Sequence, residues 1–321
     1  MIARVKSLFD PLVRLLLVAI LLASLLPVTG DGRAVAQLVS NVAIFLLFLL
    51  NGLRLPRHQV LAGVRNWRFL LPLLLFCFGV TALVGVSLGK LADNALPPAV
   101  ALGFVFLGVL PSTVQSATAY SSIAGGNVAL SVVAAAVLNI MGVFVTAPLI
   151  GLLASSGMPD FDIGGLERIA LILLLPFVLG QLFQGWLGQF VADHKQAATW
   201  MDRTSIAIAV YVAFSGAVEQ GLWSLISLPE WGVLLCLVGA ALVVGFFGAW
   251  WLGGLLRLDL PDRKSFLFAG AQKSIAMGAP LASVLFPPAV AGLVLLPVLI
   301  YHLLQLVISA PLAARLNRSE S

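Results

Sequence analysis

Residues 110–131 read LPSTVQSATAYSSIAGGNVALS, and residues 270–280 read GAQKSIAMGAP. Both runs interrupt long apolar segments. Pro111 has no backbone N–H and its ring collides with the preceding turn, so a helix reaching Leu110 breaks or kinks there. Gly270, Gly278 and Pro280 give the second run the same tendency. Carbonyls released by such breaks are tolerated at membrane depth only where protein or a water-lined cavity satisfies them.

The chain around these runs is extreme in composition. Of its 321 residues 61% are hydrophobic and 10% charged, with a mean hydropathy of +1.09. Soluble domains are about 45–50% apolar and about 25% charged. This excludes a soluble globular enzyme, a disordered chain and a nucleic-acid binder. Ten apolar segments are predicted, at 12–28, 35–53, 69–88, 98–124, 128–154, 166–187, 205–227, 232–256, 266–286 and 290–312. The first follows Arg4, Lys6 and Arg14 and is read as a retained helix rather than a cleaved leader. No polar stretch is long enough for a soluble domain, so residues 1–321 form one membrane domain.

The 18 basic residues orient it. With the amino terminus in the cytoplasm, that side collects Arg4, Lys6, Arg14, Arg54, Arg57, Arg65, Arg68, Lys195, Arg203, Arg257, Arg263, Lys264, Arg315 and Arg318. The far side receives Arg33, Lys90 and Arg168. The bias predicts an even number of spans with both termini cytoplasmic. It also accounts for the formal charge of +5 without a nucleic-acid partner.

Ten spans divide into two inverted five-helix repeats, at about 10–154 and 166–314. Segments 4 and 9 then correspond, and both are interrupted. Paired broken helices at matching places point to the binding site of a secondary transporter. Lys273 is the remaining basic residue, inside segment 9 and beyond easy reach of an interface, where a lysine costs at least about 2.5–3.5 kcal/mol. Candidate binding residues are Ser112, Thr113, Gln115, Ser116, Thr118, Asn127, Ser131, Gln272, Lys273, Ser274 and His302. Alone, each Ser or Thr reads more simply as helix packing, and Asn127, after Gly125-Gly126, as a helix cap. Cys77 and Cys236 lie in apolar runs, and no CxxC, HExxH, phosphate-cradling loop or nucleophile elbow is present. No enzyme, cofactor or tightly held metal is expected.

The 110–131 stretch resembles the bile acid:sodium symporter family, in particular its bacterial sodium-bile-acid-symporter-like branch within the cation/proton antiporter superfamily. The stretches AGAQKSIAMGAP and IYHLLQ (residues 300–305) fit the same branch. The resemblance implies an all-α polytopic membrane protein whose broken helices 4 and 9 cross. A core of segments 3–5 and 8–10 would face a panel of segments 1, 2, 6 and 7. It implies a symporter of bile-acid-like or other organic anions, coupled to sodium. Ser116, Ser131 and Gln272 match positions of a possible sodium site. Phe268 stands where sodium-coupled members carry a carboxylate, however, and Lys273 where they carry an asparagine. Cys77, Ala117 and Ala135 replace further ligands. The expectation is that Lys273 takes the sodium role, leaving transport sodium-independent or proton-linked. Alternatives are a cation/proton antiporter and a non-transporting membrane regulator.

Overall fold

In the computed structural model, residues 11–54, 66–154 and 170–318 are described. Arg4, Lys6, Arg57, Arg65 and Arg168, the 155–165 connection and the start of the sixth segment lie outside them. The regular elements among the described residues are all helices, without strands. The helices are α1 (Pro11–Leu25), α2 (Gly32–Arg54), α3 (Trp67–Ala92), α4 (Pro98–Val109), α5 (Val114–Ile123) and α6 (Val128–Ala154). They continue with α7 (Leu175–Asp193), α8 (Lys195–Glu219), α9 (Leu228–Leu255), α10 (Leu260–Ala271), α11 (Ile275–Leu285) and α12 (Pro288–Arg318).

By length and composition, six of these helices can cross a membrane, or seven if α4 and α5 count as one span bent by 59°. The sequence predicts ten apolar segments. The remaining three segments do not pass on these grounds for separate reasons. α1 is 15 residues long, α8 carries Lys195, Asp202, Arg203 and Glu219, and segment 9 is divided into α10 and α11.

Both breaks fall where the sequence places them. Leu110 and Thr113 flank the first in extended backbone (ψ 144° and 139°), and Gln272 and Ser274 flank the second (ψ 140° and 105°). A third irregularity is a π-helical turn at Phe76–Val80 inside α3, just after Pro72. Such turns displace carbonyls from the regular ladder and recur at functional sites.

Close helix packing here relies on glycine rather than on side-chain bulk, as is usual where lipid offers no hydrophobic contrast. Gly85 of α3 faces Gly108 of α4 so closely that a Cβ on Gly85 would lie 3.0 Å from the Gly108 Cα. Gly52 of α2 and Gly180 of α7 approach in the same way. Gly85→Leu is therefore expected to cost about 3 kcal/mol, the upper range for overpacking. Gly185, around which an added Cβ meets nothing within 4 Å, is the control. Thermal unfolding in detergent checks this; equal stability of Gly85→Leu and Gly185→Leu would refute it.

Ion pairs join α2 to α8 at both ends: Arg33 with Glu219 and Arg54 with Asp202. α8 also packs against α1, α11 and α12. Lys264, assigned from sequence to a cytoplasmic loop, is instead fully buried in the first half of α10.

Candidate functional site

The two breaks meet. The Ser274 backbone N–H donates to the Pro111 carbonyl at 2.9 Å, so one extended segment lies across the other. Each break exposes backbone groups that a continuous helix would have paired, and side chains from neighbouring helices take them up. Asn139 of α6 donates to the Ser112 carbonyl at 3.0 Å, and Thr146 of α6 donates to the Val109 carbonyl at 2.9 Å. Tyr301 of α12 donates to the Ala271 carbonyl at 2.7 Å.

Lys273 fills the centre. It is 3% exposed, and its Nζ lies 2.8 Å from the Leu110 carbonyl, 3.0 Å from the Gly108 carbonyl, 2.8 Å from Thr81 Oγ1 and 3.2 Å from the Cys77 carbonyl. An ammonium has three protons and no acceptor. Four oxygens thus share three protons, and none belongs to a carboxylate. Gly108 and Leu110 supply the carbonyls at the α4 C-terminus, where the helix dipole is negative. Cys77 supplies one from the π turn. Thr81 Oγ1 also lies 2.6 Å from the Cys77 carbonyl and 2.7 Å from the Gly108 carbonyl, so its single proton goes to one of them while it accepts from Lys273. This is a compact oxygen cage of the kind that holds a small cation, occupied by a tethered one.

The residues beside Lys273 are held as tightly. Gln305 of α12 accepts from the Lys273 backbone N–H at 2.7 Å and donates to the Lys273 carbonyl at 3.0 Å. Its Nε2 also lies 2.8 Å from His302 Nδ1, which is itself 3.4 Å from the Lys273 carbonyl. Gln272 bridges the other way: its Oε1 accepts from Ser116 at 2.8 Å and its Nε2 donates to Ser309 at 2.7 Å. Thr113 and Ser116 hydrogen-bond to each other, and Ser274 caps α11 through the Met277 N–H at 3.2 Å.

The crossing therefore gathers Ser112, Thr113, Ser116, Gln272, Lys273, Ser274 and His302. Gln115 is exposed on the neighbouring face of α5, and Thr118 sits one turn further on, half-buried. Ser112 Oγ and Thr118 Oγ1 are buried atoms with no hydrogen-bond partner among the described residues. Asn127 lies elsewhere. It caps α6 through the Leu130 N–H at 3.1 Å and donates to Asp262 at 2.8 Å, while its carbonyl accepts from Ser265 at 2.9 Å. Ser131 pairs with Ser121 at 3.1 Å, so of the three possible sodium-site residues only Ser116 and Gln272 are in direct contact. Phe268, fully buried, faces the ring of Tyr120 at 5.9 Å.

Sequence reasoning missed Thr81, Gln305 and Ser309. The two on α12 had a signal: His302, Gln305 and Ser309 recur at helical spacing on one face of an otherwise apolar helix. Thr81 had none, because a lone threonine in a membrane helix is ordinary.

A profile of the SBF-like CPA transporter family matches residues 10–318. The chain belongs to that family. An Escherichia coli (strain K12) protein named "Putative symporter YfeH" is 36% identical over 316 residues, covering 96% of this chain and 93% of its own. A Pseudomonas aeruginosa relative named only as uncharacterised protein PA2026 is 36% identical, with 98% and 95% of the two chains covered. A Bacillus subtilis (strain 168) relative named as an uncharacterised sodium-dependent transporter, YocS, is 26% identical over 72% of this chain and 66% of its own. Like the rest of the SBF-like CPA family, this chain is an integral membrane transporter and not an enzyme.

Proposed function

We propose that this chain is a secondary transporter of small organic anions, bile-acid-like or other amphipathic carboxylates and sulfates, in which the Lys273 ammonium stands permanently where a coupling cation would bind. The observation that carries this is the cage of four oxygens around Lys273 Nζ at the crossing of two broken helices. The cage lacks any carboxylate, so Lys273 leaves the crossing with a net positive charge. Next to it, α5 begins without a side-chain cap on its first N–H groups. An uncapped helix N-terminus attracts anions. Gln115, exposed in the first turn of α5, supplies a polar contact for an anionic head group.

In this reading the ten segments form two inverted repeats, and a core carrying the crossing moves against a panel of α1, α2, α7 and α8. The Arg33–Glu219 and Arg54–Asp202 pairs would keep α2 and α8 of that panel together. Substrate would enter between core and panel, reached alternately from the two sides of a bacterial cytoplasmic membrane, with both termini inside. Coupling through a carboxylate, as in a proton or cation antiporter, is disfavoured. Among the described residues, Glu219 and Asp202 are each paired with an arginine near a helix end rather than placed at the crossing.

The test is uptake of cholate, a sulfated steroid and short carboxylates into proteoliposomes, in sodium and in choline buffer. Equal initial rates in the two buffers are expected. A strict sodium requirement would overturn the tethered-cation reading, and failure to move any of these anions would overturn the substrate class.

A further inference from the structure

A groove of about 800 Å³ opens between α9 and α12. Gly239, Phe246 and Trp250 form one wall, Leu304 and Arg315 lie along the other, and Leu267 of α10 is the floor. Except for Arg315 its lining is almost entirely apolar. From Gly239 to Trp250 is eleven residues of α9, or about 16 Å at 1.5 Å per residue. That is close to half of a hydrocarbon core of about 30 Å, one leaflet deep. The charged end is the end of the helices: Arg315 sits in the last turn of α12, and Trp250 in the last part of α9.

Basic groups collect at that end. The Arg263 guanidinium lies 4.0 Å from the Trp250 ring centroid, and its Nε donates to the Trp250 carbonyl at 2.9 Å. Arg257 follows α9 directly. The acids of the same turn are engaged: Asp259 caps α10 through the Asp262 N–H, and Asp262 accepts from Asn127. Arg315 is exposed and has no hydrogen-bond or ion-pair partner among the described residues. The end of the groove opposite Trp250 is open too, since a Cβ on Gly239 would meet nothing within 4 Å.

We propose that this groove is a binding site for one anionic phospholipid, its acyl chain between α9 and α12 and its phosphate on Arg315 at the Arg263–Trp250 rim. Depth of one leaflet, an apolar length and a cation only at the interfacial end together fit that ligand. A zwitterionic lipid would fit the apolar length but would use the cationic rim poorly. The site is independent of the transport reading.

Purified full-length protein is exchanged into detergent containing equimolar phosphatidylglycerol and phosphatidylcholine, and bound lipid is counted by native mass spectrometry. Wild type is expected to retain one phosphatidylglycerol per chain in clear preference. Arg315→Gln is expected to reduce that preference by about fivefold, the effect of one interfacial cation. Gly239→Phe fills the groove and is expected to abolish retention of either lipid. Equal retention of the two lipids by wild type would overturn the proposal. So would an unchanged preference in Arg315→Gln, which alters an exposed side chain and spares the fold. Occupancy by detergent alone, or a lipid-free dimer, would likewise overturn it.

Discussion

Lys273→Ala is expected to turn a sodium-indifferent transporter into one that needs a small cation. Truncation removes the ammonium from four oxygens that lie 2.8–3.2 Å from it. Thr81 reaches only the Cys77 and Gly108 carbonyls and has one proton, so at the least the Leu110 carbonyl loses its donor at membrane depth. Each such group costs about 1–3 kcal/mol. Uptake in choline buffer is therefore expected to fall by more than about a hundredfold, the equivalent of about 3 kcal/mol. The vacated space is lined by oxygens and sized for an ammonium. Sodium, ammonium or methylammonium should re-enter it and restore a measurable part of the rate and of the unfolding temperature. Lys273→Met keeps apolar bulk in the cage and should not respond to added cations. Lys273→Arg keeps the charge but brings a flat, wide guanidinium to a compact site, and should also be poorly active. Initial rates with a concentration series of each cation, alongside thermal unfolding, decide the matter. A Lys273→Ala protein as active in choline as wild type would show that the cage has no part in transport.

The second large effect is expected at Gln305→Leu. Gln305 holds both backbone groups of Lys273, accepting from the N–H at 2.7 Å and donating to the carbonyl at 3.0 Å. Leucine matches its bulk and pairs with neither. Two buried backbone groups at a helix break would lose their partners, at about 1–3 kcal/mol each. The sum, about 2–6 kcal/mol, is a large share of the 5–15 kcal/mol by which folded proteins exceed their unfolded states. The expected result is a sharply lower unfolding temperature and little uptake. Gln305→Glu keeps an acceptor for the N–H while losing the donor, and should fall between leucine and wild type. Stability equal to wild type in Gln305→Leu would mean that water or a shifted neighbour satisfies the break.

Much of the architecture was open to reading from composition and breakers. Pro111 forces a discontinuity because it lacks a backbone donor, and the extended turns at 110–113 and 272–274 fall on the quoted runs. Lys273 was singled out because charge at membrane depth is expensive, and it does occupy the centre of the crossing. Other features were misjudged for physical reasons. Lys264 looked like a loop residue because Asp259, Asp262 and Arg263 surround it in sequence, yet packing against the Gly126 turn buries it. For Asn127 the simpler reading as a helix cap holds: it caps α6 through the Leu130 N–H and donates to Asp262.

The chain order of apolar and polar residues was enough to establish that this protein lies in a bilayer, where its helices break and which charge is out of place. Those properties follow from local costs: transfer of side chains into lipid, the missing N–H of proline and the desolvation of an ammonium. Which atoms answer that ammonium came from the fold alone. Cys77, Thr81, Gly108 and Leu110 converge on Lys273 from as far as 196 residues away. Three of the four contribute backbone oxygens that every residue type carries, and Thr81 contributes a hydroxyl common in membrane helices. A backbone carbonyl leaves no mark in a sequence. It becomes a ligand only when a π turn or a helix end leaves it unpaired and packing turns it toward a donor.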